Sequence, residues 1–131
     1  MVIDTSAVLA ILFEEPESPT IRQAIEDDPI RLMSSGSFLE TSIVIEARFG
    51  EHGGRELDLL LHTAQIEVVS VDRDQAEVAR EGYRRYGKGR HPAGLNFGDC
   101  FAYALAKTSG EPLLFKGSDF SQTDVRTVVT S

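Results

Sequence analysis

Four carboxylates fall at the boundaries of predicted secondary-structure elements. Asp4 ends a short apolar strand, and Asp119 follows a later strand. Glu40 and Asp99 lie in the first turns of two predicted helices. In a parallel α/β sheet, strand carboxyl ends and helix N-termini meet at one crevice, so these side chains are expected to converge. Crowded carboxylates repel one another and need a cation between them, and oxygen ligands without histidine or cysteine indicate Mg²⁺ or Mn²⁺ rather than zinc.

Two of these carboxylates also fit helix capping. Glu40 completes the pattern Ser37-x-x-Glu40, which is typical of a capping box at a helix N-terminus. Asp99 lies three residues after Asn96, where a negative charge is favourable beside the helix dipole. Spacing alone therefore leaves both the structural and the metal-binding interpretation open for this pair.

The other two carboxylates have local explanations as well. Asp119 lies in a Gly-Ser-Asp-Phe sequence that is compatible with a turn. Asp4 interrupts the apolar opening of the chain, where a carboxylate packs poorly unless it binds a ligand. Thr5 or Ser6 is expected to cap the helix that follows, and Asp4 could take part in that cap. Asp4 is thus the first candidate for a metal ligand.

A basic stretch precedes the segment that contains Asp99. Between positions 83 and 98 the chain has four basic residues and no acidic residue. The net formal charge of the chain is −8, so the residues outside this interval together carry −12. Such a stripe on an acidic body is compatible with phosphate binding, although a solvated helix end and loop is the structural alternative. The candidate substrate-binding residues are Arg84, Arg85, Lys88 and Arg90.

Length and composition are those of one ordinary globular domain. The chain has 131 residues, of which 41% are hydrophobic and 26% are charged. Cys100 is the only cysteine, so an internal disulfide is excluded and a cysteine-based zinc site is not expected. We expect no membrane-spanning segment and no signal peptide, and we expect the protein to be cytoplasmic.

Predicted strands and helices alternate along the whole sequence. Strands are predicted at the start of the chain and over 30–34, 66–71, 112–115 and 125–129. Helices are predicted after Asp4, over 18–27 and 55–64, and from Ser37, Asp72 and Asn96. This alternation predicts one α/β domain over 1–131, with three α/β/α layers and a mostly parallel sheet of about five strands.

Four segments together resemble one protein family. They are VIDTSAVLAIL at 2–12, the Leu39-Glu40-Thr41 triplet, NFGDCFAYALA at 96–106 and PLLFKGSDF at 112–120. In this order and spacing they closely resemble a PIN-domain ribonuclease toxin of the VapC type. The resemblance covers essentially the whole chain, and it implies a PIN-like fold.

The resemblance also implies an activity and partners. It implies a magnesium-dependent endoribonuclease, with Mn²⁺ as a substitute, which hydrolyses RNA with a metal-activated water. A cognate antitoxin of the VapB type would neutralise it, and we also expect a homodimer. Apolar residues exceed one buried stripe in the first and third helices, so charged substitutions at Phe13 or Ile45 are predicted to weaken antitoxin binding.

The resemblance assigns roles to individual residues. Asp4 and Asp99 match direct metal ligands, and Glu40 matches a ligand or a general base. Relatives often have an acid or asparagine directly after the fourth strand, where this chain has Lys116, and Asp119 is the nearest match. Ser6 matches a small hydroxyl residue that supports the site. The predicted catalytic set is therefore Asp4, Glu40, Asp99 and Asp119.

Two other classes fit parts of the sequence. A phosphoacceptor receiver domain is also a single α/β domain with clustered aspartates, magnesium and a lysine near the sheet edge, for which Lys116 is a match. However, no adjacent acidic pair ends the first strand, and the strand over 66–71 has no aspartate at the expected position. A catalytically silent PIN-like binding module is the other alternative, and the retention of all three main acids argues against it.

Overall fold

The structure is a computed structural model that describes residues 1–130. The strands are β1 (Val2–Ile3), β2 (Leu32–Ser34), β3 (Glu67–Val69) and β4 (Leu113–Leu114). The helices are α1 (Thr5–Leu12), α2 (Ser18–Asp27), α3 (Ser35–Phe49), α4 (Glu51–Thr63), α5 (Arg73–Tyr86) and α6 (Phe97–Ser109), followed by a 3₁₀ turn at Asp119–Gln122. No helix in this part of the chain is long and apolar enough to cross a membrane.

The strands form one parallel sheet with the order β3-β2-β1-β4. Alternate residues of the central strands face two separate apolar cores. Ile3 and Leu114 pack into the core with α1 to α4, whereas Val2 and Leu113 pack into the core with α5 and α6. Helices therefore cover both faces of the sheet, and the predicted three-layer α/β/α fold is confirmed.

The edges of the sheet differ from the sequence prediction. The segment predicted as a fifth strand, 125–129, makes a single parallel bridge between Leu113 and Thr127 rather than a strand. The 66–71 segment has the most conspicuous strand pattern, yet β3 has three residues and lies at the edge of the sheet. The described sheet therefore has four short strands. In both segments the apolar sequence pattern is longer than the part of the backbone that pairs in the sheet.

Two helix starts also differ from the prediction. Asp4 itself is the N-cap of α1, since its side chain accepts a hydrogen bond from the backbone N–H of Ser6. Helix α3 begins at Ser35 and is capped by Ser34, whose hydroxyl accepts from the N–H of Gly36. The predicted capping box from Ser37 is therefore wrong, and Glu40 lies in the second turn of α3 rather than the first. This finding removes the structural explanation for Glu40.

Candidate active site

Asp4 occupies the position where β1 ends and α1 begins. The backbone N–H of Asp4 donates to the carbonyl of Leu114 on the neighbouring strand at 3.0 Å. Its Oδ2 accepts from the N–H of Ser6 at 3.0 Å and from the Ser6 hydroxyl at 2.6 Å. The residue is only 4% exposed. The carboxylate is thus buried at the carboxyl edge of the central strands, where the sequence predicted it.

Ser6 connects this carboxylate to the end of β4. Its hydroxyl accepts a hydrogen bond from the backbone N–H of Lys116 at 2.9 Å while it donates to Asp4. The ammonium of Lys116 contacts Glu15 and lies 3.0 Å from Glu17. Its positive charge is therefore committed to the segment between α1 and α2 and does not neutralise Asp4. The geometry places Ser6 between Asp4 and the end of β4, and its supporting role in the site stays a prediction.

Glu40 is brought to the site by hydroxyl contacts between α1 and α3. The buried Thr5 hydroxyl donates to the carbonyl of Ser37 at 3.1 Å, and Thr41 donates to the same carbonyl at 2.7 Å. Thr41 Oγ1 and Thr5 Oγ1 are 3.1 Å apart. Because Thr41 directly follows Glu40, this buried network fixes the α3 turn that carries Glu40 against the start of α1.

Gly98 supplies the space that the Glu40 carboxylate occupies. A Cβ atom at position 98 would lie 2.0 Å from Oε2 of Glu40 and 2.5 Å from its Cδ. No side chain other than that of glycine fits there without displacing the carboxylate. Residue 98 directly precedes Asp99, so this contact brings Glu40 to the N-terminus of α6.

Asp99 lies in the first turn of α6 and forms a reciprocal capping box with Asn96. Its Oδ2 accepts from the N–H of Asn96 at 3.0 Å, and its own N–H donates to Oδ1 of Asn96 at 2.9 Å. The structural interpretation of Asp99 is therefore correct. One carboxylate oxygen still has capacity for another partner, so capping and metal binding are compatible.

Electrostatic interactions connect the carboxylates. Burial, opposed by hydrogen bonds from Ser6 and reinforced by the charges of Asp99 and Glu40, raises the pKa of Asp4 to about 6. Burial, together with the charges of Asp119 and Glu40, also raises the pKa of Asp99 to about 6. Asp119 is exposed at the start of the 3₁₀ turn, and it influences Asp99 rather than Asp4. Asp4 and Asp99 thus resist ionisation, chiefly because they are buried and secondarily because other carboxylates lie near them.

The oxygen ligands suit a hard divalent cation, although the carboxylates do not lie close enough together to coordinate one. Within residues 1–130, no group of three or more His, Cys, Asp or Glu side chains lies close enough to hold a metal ion. Burial raises the pKa values of Asp4 and Asp99, and the neighbouring carboxylates raise them further, so a cation would favour the ionised form of both groups. An all-oxygen set of this charge fits Mg²⁺ or Mn²⁺ and does not fit a thiolate or imidazole zinc site.

Comparison with known proteins decides the family. The PIN-domain family model matches residues 1–126. A ribonuclease VapC from Mycolicibacterium smegmatis is 66% identical over 128 residues, which cover 98% of this chain and 99% of the relative. The chain belongs to the VapC ribonucleases of the PIN-domain family. Ribonuclease VapC30 from Mycobacterium tuberculosis is 64% identical over 128 residues and covers 98% of both chains.

Solved structures agree with the VapC assignment at the level of the fold. VapC20 from Mycobacterium tuberculosis, described as a sarcin-ricin loop cleaving toxin, has a TM-score of 0.78 and 19% identity, covering 97% of each chain. A toxin–antitoxin complex from Klebsiella pneumoniae has a TM-score of 0.70 and 20% identity, covering 97% and 95%. The predicted resemblance is confirmed, and the receiver-domain alternative is excluded.

The basic stretch of this VapC chain divides between two faces. Arg85 lies 3.5 Å from Asp124 and stacks on Tyr86, which separates it from the other three basic residues. Arg84, Lys88 and Arg90 instead line a cavity between α5 and α6, together with Arg80. Sequence reasoning missed Arg80 because it lies before the acid-free interval, and it missed the role of Gly98 because the contact with Glu40 is long-range.

Proposed function

We propose that this protein is a magnesium-dependent endoribonuclease, with Mn²⁺ as a substitute, and the toxin of a type II toxin–antitoxin system that acts in the cytoplasm. The names of its relatives support ribonuclease activity. The observation that carries the metal dependence is a buried aspartate, Asp4, whose pKa is raised by burial and by neighbouring acids. Such a cluster is stable in its ionised form only beside a cation.

Each acid has a proposed task. Asp4 and Asp99 would hold the ion, and Glu40 would be a further ligand or the general base that accepts a proton from the attacking water. Asp119, which lies on the exposed rim, would be a ligand through water. When bound, the metal lowers the pKa of a coordinated water and neutralises charge on the RNA phosphate. Ser6 keeps the carboxylate of Asp4 in one orientation through its two hydrogen bonds.

Replacing Glu40 by glutamine is expected to reduce metal-dependent RNA cleavage by about 100- to 10,000-fold, the range for loss of a general base. Within residues 1–130, Glu40 is neither a helix cap nor part of a salt bridge, so the melting temperature should change little. The measurement is single-turnover cleavage of RNA with Mg²⁺, together with thermal melting.

Glu46→Gln is the matched control, because Glu46 is an exposed glutamate on the same helix. It should cleave RNA at the wild-type rate. Near-normal cleavage by Glu40→Gln would contradict a catalytic role for Glu40. If the wild-type protein binds RNA but does not cleave it with Mg²⁺ or Mn²⁺, the silent PIN-like binding module is the correct alternative.

A VapB-type antitoxin is the proposed partner of the surface between α1 and the end of α3. Solved VapBC complexes from Rickettsia felis and Haemophilus influenzae have similar folds, with TM-scores of 0.71 and 0.69, and support a partner of this kind. Phe13 and Phe49 pack with ring centroids 6.0 Å apart, and Arg48 stacks over Phe13 at 4.5 Å. Phe49 remains 48% exposed, so an apolar antitoxin segment has an aromatic surface to cover.

A second exposed apolar surface is proposed as the homodimer contact. It lies on α3 and the start of α6 beside Glu40, and it consists of Leu39, Ile43, Val44 and Phe97. Phe97 is 79% exposed and Ile43 is 62% exposed.

Ile45 is 1% exposed and belongs to the core, so the prediction that a charge at Ile45 would test antitoxin binding is wrong. A charge there would unfold the protein.

Two charge substitutions separate these surfaces. Phe49→Glu should weaken binding of the cognate antitoxin by at least about 30-fold, the size expected for an aromatic hot spot, and leave self-association unchanged. Ile43→Glu should shift the protein toward monomer and leave the antitoxin surface intact. Calorimetric titration and analytical ultracentrifugation measure the two effects. If Phe49→Glu instead disrupts self-association and Ile43→Glu weakens antitoxin binding, the two surfaces have the opposite roles. If both variants fold and change neither measurement, neither surface has its proposed role.

A further inference from the structure

A cavity beside the candidate active site is not used by the proposed metal chemistry. It lies between α5 and α6 and has a volume of about 760 Å³, within the range of roughly 300–1,000 Å³ that is typical of small-ligand pockets. Its walls are mostly apolar, with small side chains from α5 and aromatic rings on both sides. The apolar lining includes Ala76, Ala79, Tyr83, Phe97 and Phe101.

Four cationic side chains surround this apolar cavity. They are Arg80, Arg84, Lys88 and Arg90, and none of the described residues that line the cavity is acidic. The guanidinium of Arg90 lies 5.9 Å from the centroid of the Tyr83 ring. Arg84 has one acidic neighbour, Glu81, in an exposed pair at 3.5 Å. In a chain with a net charge of −8, this concentration of positive charge is complementary to a polyanion.

The cavity is connected to the catalytic carboxylates through α6. One of its lining residues is Asn96, which caps α6 and accepts a hydrogen bond from the N–H of Asp99. Phe97 and Phe101 pack edge to face, with ring centroids 5.0 Å apart. Both rings line this cavity and also the apolar groove that contains Glu40. A ligand in the cavity would therefore be separated from Glu40 by one pair of aromatic rings.

We infer that this cavity binds one unpaired base of the RNA, close to the bond that is cut, while the surrounding cations contact the adjoining phosphates. The inference rests on the proposed ribonuclease function and adds a site that selects the nucleotide. Unpaired bases stack on aromatic side chains and guanidinium planes, and their phosphates need positive charge. An apolar peptide would use the walls of the cavity but would offer no anionic partner to Arg80, Lys88 and Arg90.

Filling the cavity should remove the contribution of the base and leave that of the phosphates. The probes are oligoadenylate and oligouridylate of about 12 nucleotides and an abasic ribose-phosphate chain of the same length. Binding is measured in chelator, so that cleavage does not consume the RNA. The wild-type protein should prefer a base-bearing probe over the abasic chain by roughly 5- to 150-fold, the range for one stacked base.

Ala79→Phe projects a ring into the cavity, and Tyr83→Ala removes one of its walls. Both variants should bind the base-bearing and abasic chains about equally. Their dependence on salt should match that of the wild-type protein, because the cations remain. Arg84→Ala should instead keep the base preference and lower the log–log salt slope by about 0.7. Controls are Ala47→Phe on exposed α3 and Arg73→Ala at an exposed position on α5 outside the cavity.

Several results would overturn the inference. The first is a wild-type protein without preference for bases, and the second is a folded Ala79→Phe variant that keeps the full preference. A third is a changed sedimentation coefficient of Ala79→Phe with unchanged base preference, which would show that a second copy of the chain covers the cavity. Failure of the proposed nuclease function is read separately, as absence of cleavage when Mg²⁺ is added to protein that binds RNA normally.

Discussion

Asp4→Asn is expected to abolish RNA cleavage and, at the same time, to raise the melting temperature of the metal-free protein. Loss of a direct metal ligand removes several kcal/mol of transition-state stabilisation, so the rate should fall at least roughly 100-fold. The fold should gain about 1–3 kcal/mol at pH 7. Gain of stability with loss of activity is the signature of a carboxylate retained for function.

The gain of stability follows from the pKa of Asp4. Folding raises this pKa from 3.8 to about 6, chiefly because burial disfavours the charged form. The folded protein therefore holds the proton more tightly than the unfolded chain does, and stability falls as the pH rises from about 4 to about 6. At pH 7 the destabilisation is complete. Asparagine carries no charge and is an equally good helix N-cap, so it removes this effect and keeps the cap.

The measurement is thermal melting in chelator between about pH 4 and pH 8, where the variant should show a flatter pH dependence than the wild-type protein. Excess Mg²⁺ should stabilise the wild-type protein more than the variant. Asp72→Asn is the matched control, because Asp72 caps α5 in the same way but is exposed. A lower melting temperature for Asp4→Asn would mean that the hydrogen bonds from Ser6 to the carboxylate stabilise the fold by more than burial of the charge destabilises it.

Local sequence signals predicted part of the fold well. Helix α2 runs over Ser18–Asp27, as predicted, because acidic residues and proline mark its start and Asp28-Pro29 ends it. The Asn96-x-x-Asp99 pattern is a true capping box. Ser37-x-x-Glu40 has equivalent spacing but is not one, because β2 leads directly into a helix that Ser34 caps. Among three nearby serines, local spacing cannot identify the one that begins the helix.

Strand length and position were harder to predict than strand existence. The pattern over 66–71 is rich in β-branched residues, but β3 lies at the edge of the sheet and is largely exposed. The central strand β1 has only two residues, both fully buried. Pairing in a parallel sheet depends on the helices that cover it, and that tertiary information is not contained in a short window of residues.

The approach of the candidate carboxylates to one another could be predicted because chain topology brings strand ends and helix starts together. The features that orient them could not. The contact of Glu40 with Gly98 spans α3 and α6, and the Thr5 to Ser37 hydrogen bond joins residues 32 positions apart. Whether a basic side chain lines the cavity or pairs with Asp124 depends on the face of α5 on which it lies, as Arg84 and Arg85 show. These details follow from packing and not from residue type.

Gly98→Ala is expected to reduce cleavage by about 100-fold, the loss expected when a reacting group is misplaced by roughly 1 Å. The new methyl group would lie 2.0 Å from Oε2 of Glu40, so the carboxylate must move. The clash is with the far end of a flexible side chain, and alanine is the better helix former by about 1 kcal/mol. The melting temperature should therefore stay the same or rise while activity falls.

Gly54→Ala is a closely matched control. A Cβ at position 54 would lie 2.5 Å from Oε2 of Glu46, which is an exposed glutamate away from the site. This variant should also displace a carboxylate, yet it should cleave RNA at the wild-type rate. The double variant Gly98→Ala with Glu40→Gln should be no slower than Glu40→Gln alone, because both changes act through the same carboxylate. Additive losses in the double variant would show instead that Gly98 acts through Asp99 or the N-terminus of α6. Cleavage at the wild-type rate by Gly98→Ala alone would mean that catalysis does not depend on the position of Glu40 over Gly98.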